Sequence, residues 1–131
     1  MLSQQRRADL VEDHQPFAIV LGCSDSRAPA EILFDQGLGD LFVIRVAGNI
    51  VAPSQIASVE FAAQRFGIPL VVLMGHTRCG AIEATLEAIA RPQDESLHPL
   101  RSIVDRVRPA IDQSPISFSM NAFELPPNLR P

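Results

Sequence analysis

The apolar pattern of this chain predicts an α/β domain of three layers: a mainly parallel sheet of strand order 2-1-3, flanked by helices. Two observations carry the prediction. Residues 17–21, 41–46 and 69–74 are short runs rich in Val, Ile and Leu without polar alternation, the pattern of strands buried on both faces of a parallel sheet. Between and after them the apolar period changes to that of helices, and strands alternating with helices give parallel pairing through right-handed crossovers. The 131 residues, 47% of them hydrophobic, suffice for one globular core.

Taken in order, residues 1–15 read as an N-terminal helical arm, with Arg6, Arg7, Glu12 and Asp13 on a solvated face and a weak apolar stripe. The first strand follows, then a helix beginning near Ala28, then the second strand. In residues 54–66, Ile56, Val59, Ala63 and Phe66 recur at helical spacing; Ser54 is the expected N-cap and Gly67 the stop. After the third strand, Ile82, Leu86 and Ile89 mark a helix opening at about Cys79. Leu100, Ile103, Val104 and Val107 mark another, which Pro109 is expected to end. The main domain therefore spans residues 16–112. Residues 113–131 carry four prolines and no helical period, so they read as an irregular tail with at most one short edge strand, Ile116 to Met120.

Composition removes several function classes. The formal net charge is −4 with no basic run, which argues against nucleic acid or an anionic membrane as partner. No apolar stretch approaches the roughly 20 residues of a membrane span, and the polar start lacks the apolar segment of a signal peptide, so a cytoplasmic location is expected. All eleven basic residues are arginine, which excludes lysine Schiff bases and P-loop lysines. Tyr and Trp are absent too, so no tyrosine acts as general acid. Two cysteines are too few for a disulfide framework, which leaves them as candidates for metal binding or catalysis.

Both cysteines fall where a strand gives way to a loop: Cys23 in GCSDSR, and Cys79 with His76 in GHTRCG. With strand order 2-1-3 these loops are neighbours at the switch point of the sheet, where ligands of open α/β sheets bind. Two thiolates and an imidazole suit zinc and disfavour magnesium or calcium. Three protein ligands leave the fourth tetrahedral position open, as in catalytic rather than structural zinc sites. The plainer reading keeps Cys23 and Cys79 as small buried apolar residues and His76 as a hydrogen-bonded loop residue. Asp25, two residues from Cys23, is placed to fill the fourth position or to accept a hydrogen bond there, and Arg27 to hold that carboxylate bidentately, away from the metal. The plainer reading of this pair is an ion pair, or an Asx turn capping the next helix.

Taken together, CSDSR, RVAGNIV and GHTRCGA, in that order and spacing, resemble the β-class carbonic anhydrases over roughly residues 16–108. The resemblance implies zinc held by Cys23, His76 and Cys79, with Asp25 and Arg27 as a gating pair. It also implies that Asp25 ligates the metal in a closed state only. The implied activity is reversible hydration of carbon dioxide to bicarbonate, in a homodimer or higher homo-oligomer. Val46, Ala47 and Gly48 are expected to line the apolar side of the substrate pocket.

The chain departs from the family pattern in several places. Val46 stands where asparagine is usual. Val20 replaces the tryptophan of a noncatalytic bicarbonate site found in some members, although Arg45 matches that site's arginine. The end of the chain reads as truncated or replaced relative to family domains. The shortened end favours one alternative, a catalytically impaired zinc-binding remnant; a second, which pocket shape decides, is the same scaffold hydrolysing a small heterocumulene such as carbon disulfide.

Overall fold

All five residues of strand β1 (Ala18–Gly22) are buried, because the strand is paired on both edges. In the computed structural model, which describes residues 4–114, the sheet has the order β2-β1-β3, as predicted, with β2 at Leu41–Arg45 and β3 at Val71–Met74. Both pairings are parallel. Gly22 is in register with Arg45 on one side and with Met74 on the other, so the three strands end level.

Alternation along the strands divides the core between two faces. Ala18 and Val20 face Leu41, Val43, Val72 and Met74, together with Ala30 of the short helix α2 (Ala30–Leu33). Ile19, Phe42 and Ile44 point the other way, onto Val59, Ala62, Ala63 and Phe66 of helix α3 (Pro53–Phe66). A tilted cluster of Phe42, Phe61 and Phe66 extends this second face, and His14 packs edge-on against Phe66 at 5.2 Å. The N-terminal arm forms helix α1 (Gln4–Glu12), tied down where Arg6 Nε and Nη2 donate to the Leu38 carbonyl at 3.3 and 3.1 Å.

Several expectations are corrected here. β3 is not buried on both faces: Val71 and Leu73 are exposed, because β3 is an edge strand and α3 packs on the β1 and β2 part of its face. Ser54 is not the N-cap of α3. Pro53 takes the first helical position, and the residue before a proline is pushed to extended backbone, so Ala52 becomes the cap with ψ 168°. Having no polar side chain, Ala52 relies on Gln55 Oε1, which accepts its N–H at 3.3 Å. The helix stops as expected at Gly67, whose φ of 63° suits glycine. The helix after Cys23 begins at Ala30 rather than near Ala28, with Pro29 as its cap.

The chain divides into two compact units, one through His76 and one from Thr77. The second holds α4 (Gly80–Ala90), a 3-10 turn at Glu95–Leu100 and α5 (Arg101–Asp112). Asp94 opens the 3-10 turn by accepting from the Ser96 N–H and hydroxyl at 3.0 and 2.6 Å, bonds that hold its carboxyl below the usual range. Pro109 does not end α5. It removes one N–H from the last turn, yet Gln113 N–H still reaches the Pro109 carbonyl at 3.2 Å, and Arg108 pairs with Asp112 across the proline at 3.6 Å. The tail, with the expected strand at Ile116 to Met120, lies outside the described residues.

Ile19, fully buried between β2, β3 and α3, tests this core. Ile19→Ala should cost about 2–5 kcal/mol of unfolding free energy, whereas Ile32→Ala, at an exposed position, should stay within about 0.5 kcal/mol of the parent. Urea titration followed by far-UV circular dichroism measures both; equal losses would place the core elsewhere.

Candidate metal centre

The level strand ends bring three loops to one edge of the sheet. The first runs from Cys23 to Pro29 after β1, and Cys23 is buried at its start. Asp25 follows in a turn that its own side chain closes: Oδ1 accepts the Arg27 N–H at 2.9 Å, and the Asp25 carbonyl accepts the Ala28 N–H at 3.0 Å. The Arg27 side chain then folds back, Nε to Oδ1 at 3.0 Å and Nη2 to Oδ2 at 2.8 Å. The ion pair and the Asx turn foreseen as separate possibilities therefore coexist, although the turn does not cap α2. The guanidinium above all, and then the Arg27 N–H, hold the Asp25 carboxyl well below the usual carboxylate range.

The second loop follows β2. Val46 donates its N–H to the Gly22 carbonyl at 3.1 Å, continuing the ladder by one step. Ala47–Asn49 then form a 3-10 turn in which Gly48 has φ 70° and Asn49 φ 41°. Two successive left-handed residues are the reason for Gly-Asn here, since these are the residues that adopt that region at least cost. The turn aims the Gly48 N–H at Cys23 Sγ, 3.3 Å away. Val46 and Ala47 are half-buried beside it.

The third loop follows β3. His76 is half-buried, with Nε2 3.9 Å from Asp25 Oδ2. Three residues later, after a left-handed Arg78 at φ 53°, Cys79 caps α4, at the positive end of that helix dipole. Neither cysteine is in a disulfide. Cys23 Sγ, a His76 ring nitrogen and Cys79 Sγ all lie within 4.8 Å of one another. A tetrahedral zinc ion, with Zn–S of about 2.3 Å and Zn–N of about 2.0 Å, spaces its donors by roughly 3.5 Å, a separation that falls within that limit. Two sulfurs and an imidazole in a largely buried cluster fit zinc and misfit the oxygen-seeking cations.

The structure thus brings together Cys23, Asp25, Arg27 and His76, with Cys79 completing the donor set. Sequence reasoning gave too little weight to one residue, Arg45. Its Nε donates to the Cys23 carbonyl at 2.9 Å and its Nη2 to the Asp25 carbonyl at 2.7 Å. An arginine at the end of a strand ordinarily reads as solvent-facing, and only its register with Gly22 reveals the contact. Of the other histidines, His14 sits on Phe66 and His98 is exposed on the 3-10 turn.

Comparison with known proteins agrees with this geometry. The sequence profile of the carbonic anhydrase family matches residues 18–124. A carbonic anhydrase of Mycolicibacterium smegmatis is 48% identical over 110 residues, 82% of this chain and 52% of that protein. Carbonic anhydrase 2 of Mycobacterium tuberculosis is 43% identical over 111 residues, 83% of this chain and 52% of that protein. The chain spans about half the length of these curated relatives. Among solved structures, the β-carbonic anhydrase CcaA superposes with a TM-score of 0.70 at 27% identity, over 81% of this chain and 49% of that one. A tetrameric β-carbonic anhydrase of the ascomycete Sordaria macrospora gives 0.58 at 28% identity, over 85% and 59%. With the parallel sheet, the Cys-His-Cys cluster and these matches in agreement, the chain belongs to the β-class carbonic anhydrase family.

Proposed function

We propose that this chain binds one zinc ion through Cys23, His76 and Cys79, and that the centre serves the reversible hydration of carbon dioxide to bicarbonate and a proton. The observation that carries the reading is a thiolate-imidazole donor set beside a carboxylate that an arginine holds ionised. Zinc held there supplies hydroxide at neutral pH by lowering the pKa of water from about 15.7 to about 7, an effect for which carbonic anhydrase is itself the reference case. The protein's part is orientation. Asp25 would accept a hydrogen bond from the hydroxide that the zinc supplies and so orient it toward carbon dioxide, while Arg27 occupies both carboxylate oxygens and keeps them off the donor set. Asp25 Oδ2 lies 3.9 Å from His76 Nε2, so a carboxylate released by Arg27 would be the group to take the remaining position on a zinc held there. Val46, Ala47 and Gly48 offer an apolar wall to a small uncharged substrate. Carbon dioxide needs neither a covalent intermediate nor protonation, in keeping with a chain that has no lysine and no tyrosine.

A homo-oligomer acting in the cytoplasm is part of this reading. Leu70, Val71 and Leu73 are exposed along the β3 edge, and Phe17, Phe34 and Leu70 border an apolar groove of about 210 Å³ on the sheet, surfaces that a second copy would cover.

Elemental analysis should find one zinc per chain. Replacing Cys23, His76 or Cys79 by Ala should weaken zinc binding by more than the roughly 10–100-fold typical of an outer-shell change. Protein purified without chelators that carries no zinc would end the metal reading.

Asp25→Asn should keep its zinc and lose about 10²-fold in kcat/KM for carbon dioxide hydration by stopped flow, since misplacing one catalytic contact costs about that much. Arg27→Ala should lose activity too, through the closed site, while its urea midpoint changes little, because the Arg27 side chain is more than half exposed. Undiminished rates in both variants would leave the pair a structural role only.

The lowered pKa of Asp25 sets a sign for pH as well. A depressed folded value means that its contribution to stability is fully present above about pH 4 and is lost as the pH falls further. The difference in stability between the parent and Asp25→Asn should therefore be flat from pH 5 to 9 and shrink under acid. A difference that varies across pH 6 to 8 would mean that the carboxyl is not held ionised.

A further inference from the structure

Arg45 touches neither a donor atom nor the Asp25 carboxylate, yet it grips the backbone of both residues that matter in the first loop. Its fork spans two carbonyls two positions apart, Cys23 through Nε at 2.9 Å and Asp25 through Nη2 at 2.7 Å. Register puts it there, since Arg45 is the last residue of β2 and lies opposite Gly22, the residue before Cys23. Two carbonyl dipoles aimed at one point repel unless a cation stands between them. A planar guanidinium meets both with separate N–H groups in a fixed geometry, which a lysine ammonium cannot reproduce. The same turn is closed from within by the Arg27 and Ala28 N–H groups on Asp25. It is held from outside by the Gly48 N–H on Cys23 Sγ.

We propose that Arg45 is a positioning residue of the metal centre. By clamping the Cys23 and Asp25 carbonyls it fixes the separation of the Cys23 sulfur from the Asp25 carboxylate, and so sets both metal affinity and the balance between Asp25 on Arg27 and Asp25 on the metal. The inference rests on the zinc reading above. Without the clamp the turn loosens, and the carboxylate is released to the metal more often.

The test uses the whole chain, loaded with zinc and, in parallel, with cobalt. Arg45→Ala should bind zinc roughly 10–100-fold more weakly by chelator competition, the range for partners that orient ligands. Its cobalt form should show altered visible bands, from a changed fourth ligand. Guanidinium ion added to Arg45→Ala should restore part of the parent spectrum, while Arg45→Lys, which keeps the charge and loses the fork, should behave like the alanine variant. Arg101→Ala, at an exposed position on α5, is the control and should change neither readout. Parent-like affinity and cobalt bands in Arg45→Lys, or in a folded Arg45→Ala, would overturn the proposal. So would weaker binding that merely tracks a lower urea midpoint of the metal-free protein, with no spectral change. A parent chain that takes up no zinc would instead overturn the metal reading itself, and this inference with it.

Discussion

Backbone pairing of β1 on both edges, in one register, is the constraint on which the rest of the site depends. Because Gly22 lies opposite both Arg45 and Met74, the chain leaves three neighbouring strands at the same height, and the next residues of each loop are neighbours too. A slip of one residue would move a loop by about 3.3 Å, more than the length of a metal–ligand bond, and would turn the strand's core face outward. The apolar side chains that forbid the slip, Ile19 and Val20 foremost, are thereby indirect determinants of where Cys23 and His76 stand.

Stability and chemistry are carried by different groups. The two apolar clusters on the sheet faces hold unit one together, whereas the polar contacts of the first loop contribute orientation. The Asp25–Arg27 pair illustrates the division: with the Arg27 side chain more than half exposed, the pair adds little to stability, so its consequence is where the carboxylate points. Backbone strain follows this division only in part: of the left-handed non-glycine residues, Asn49 and Arg78 lie in the loops after β2 and β3, Arg78 immediately before Cys79, whereas Asp35 lies between α2 and β2. Strain of about 1–3 kcal/mol at a non-glycine residue is tolerated where neighbouring contacts over-determine the turn.

The sheet also explains why apolar surface remains exposed. α3 covers β1 and β2 on one face, and this leaves Val71 and Leu73 of β3 in solvent; on the other face Ala30 of α2 reaches only part of the strands. An edge strand with exposed leucine and valine is a surface suited to pairing with further chain, whether from the same molecule or another.

The sequence by itself determined the three strands, their order, the helix of residues 54–66, the helix opening at about Cys79, and the grouping of Cys23, His76 and Cys79. Val-rich runs, helical spacing and the Cys-x-Asp-x-Arg and His-x-x-Cys patterns are local signals that survive in one dimension. It misplaced the cap of α3, because Pro53 forces Ala52 extended and hands the capping role to Gln55, a contact three residues away. It also stopped α5 too early, since a proline in a last turn removes one hydrogen bond without breaking the turn. Only the tertiary structure decided that β3 is half exposed, that Gly48 donates to Cys23 Sγ, and that Arg45 clamps the carbonyls of Cys23 and Asp25. Those contacts join residues twenty or more positions apart, and strand register, which the order of the residues alone does not specify, is what brings them together.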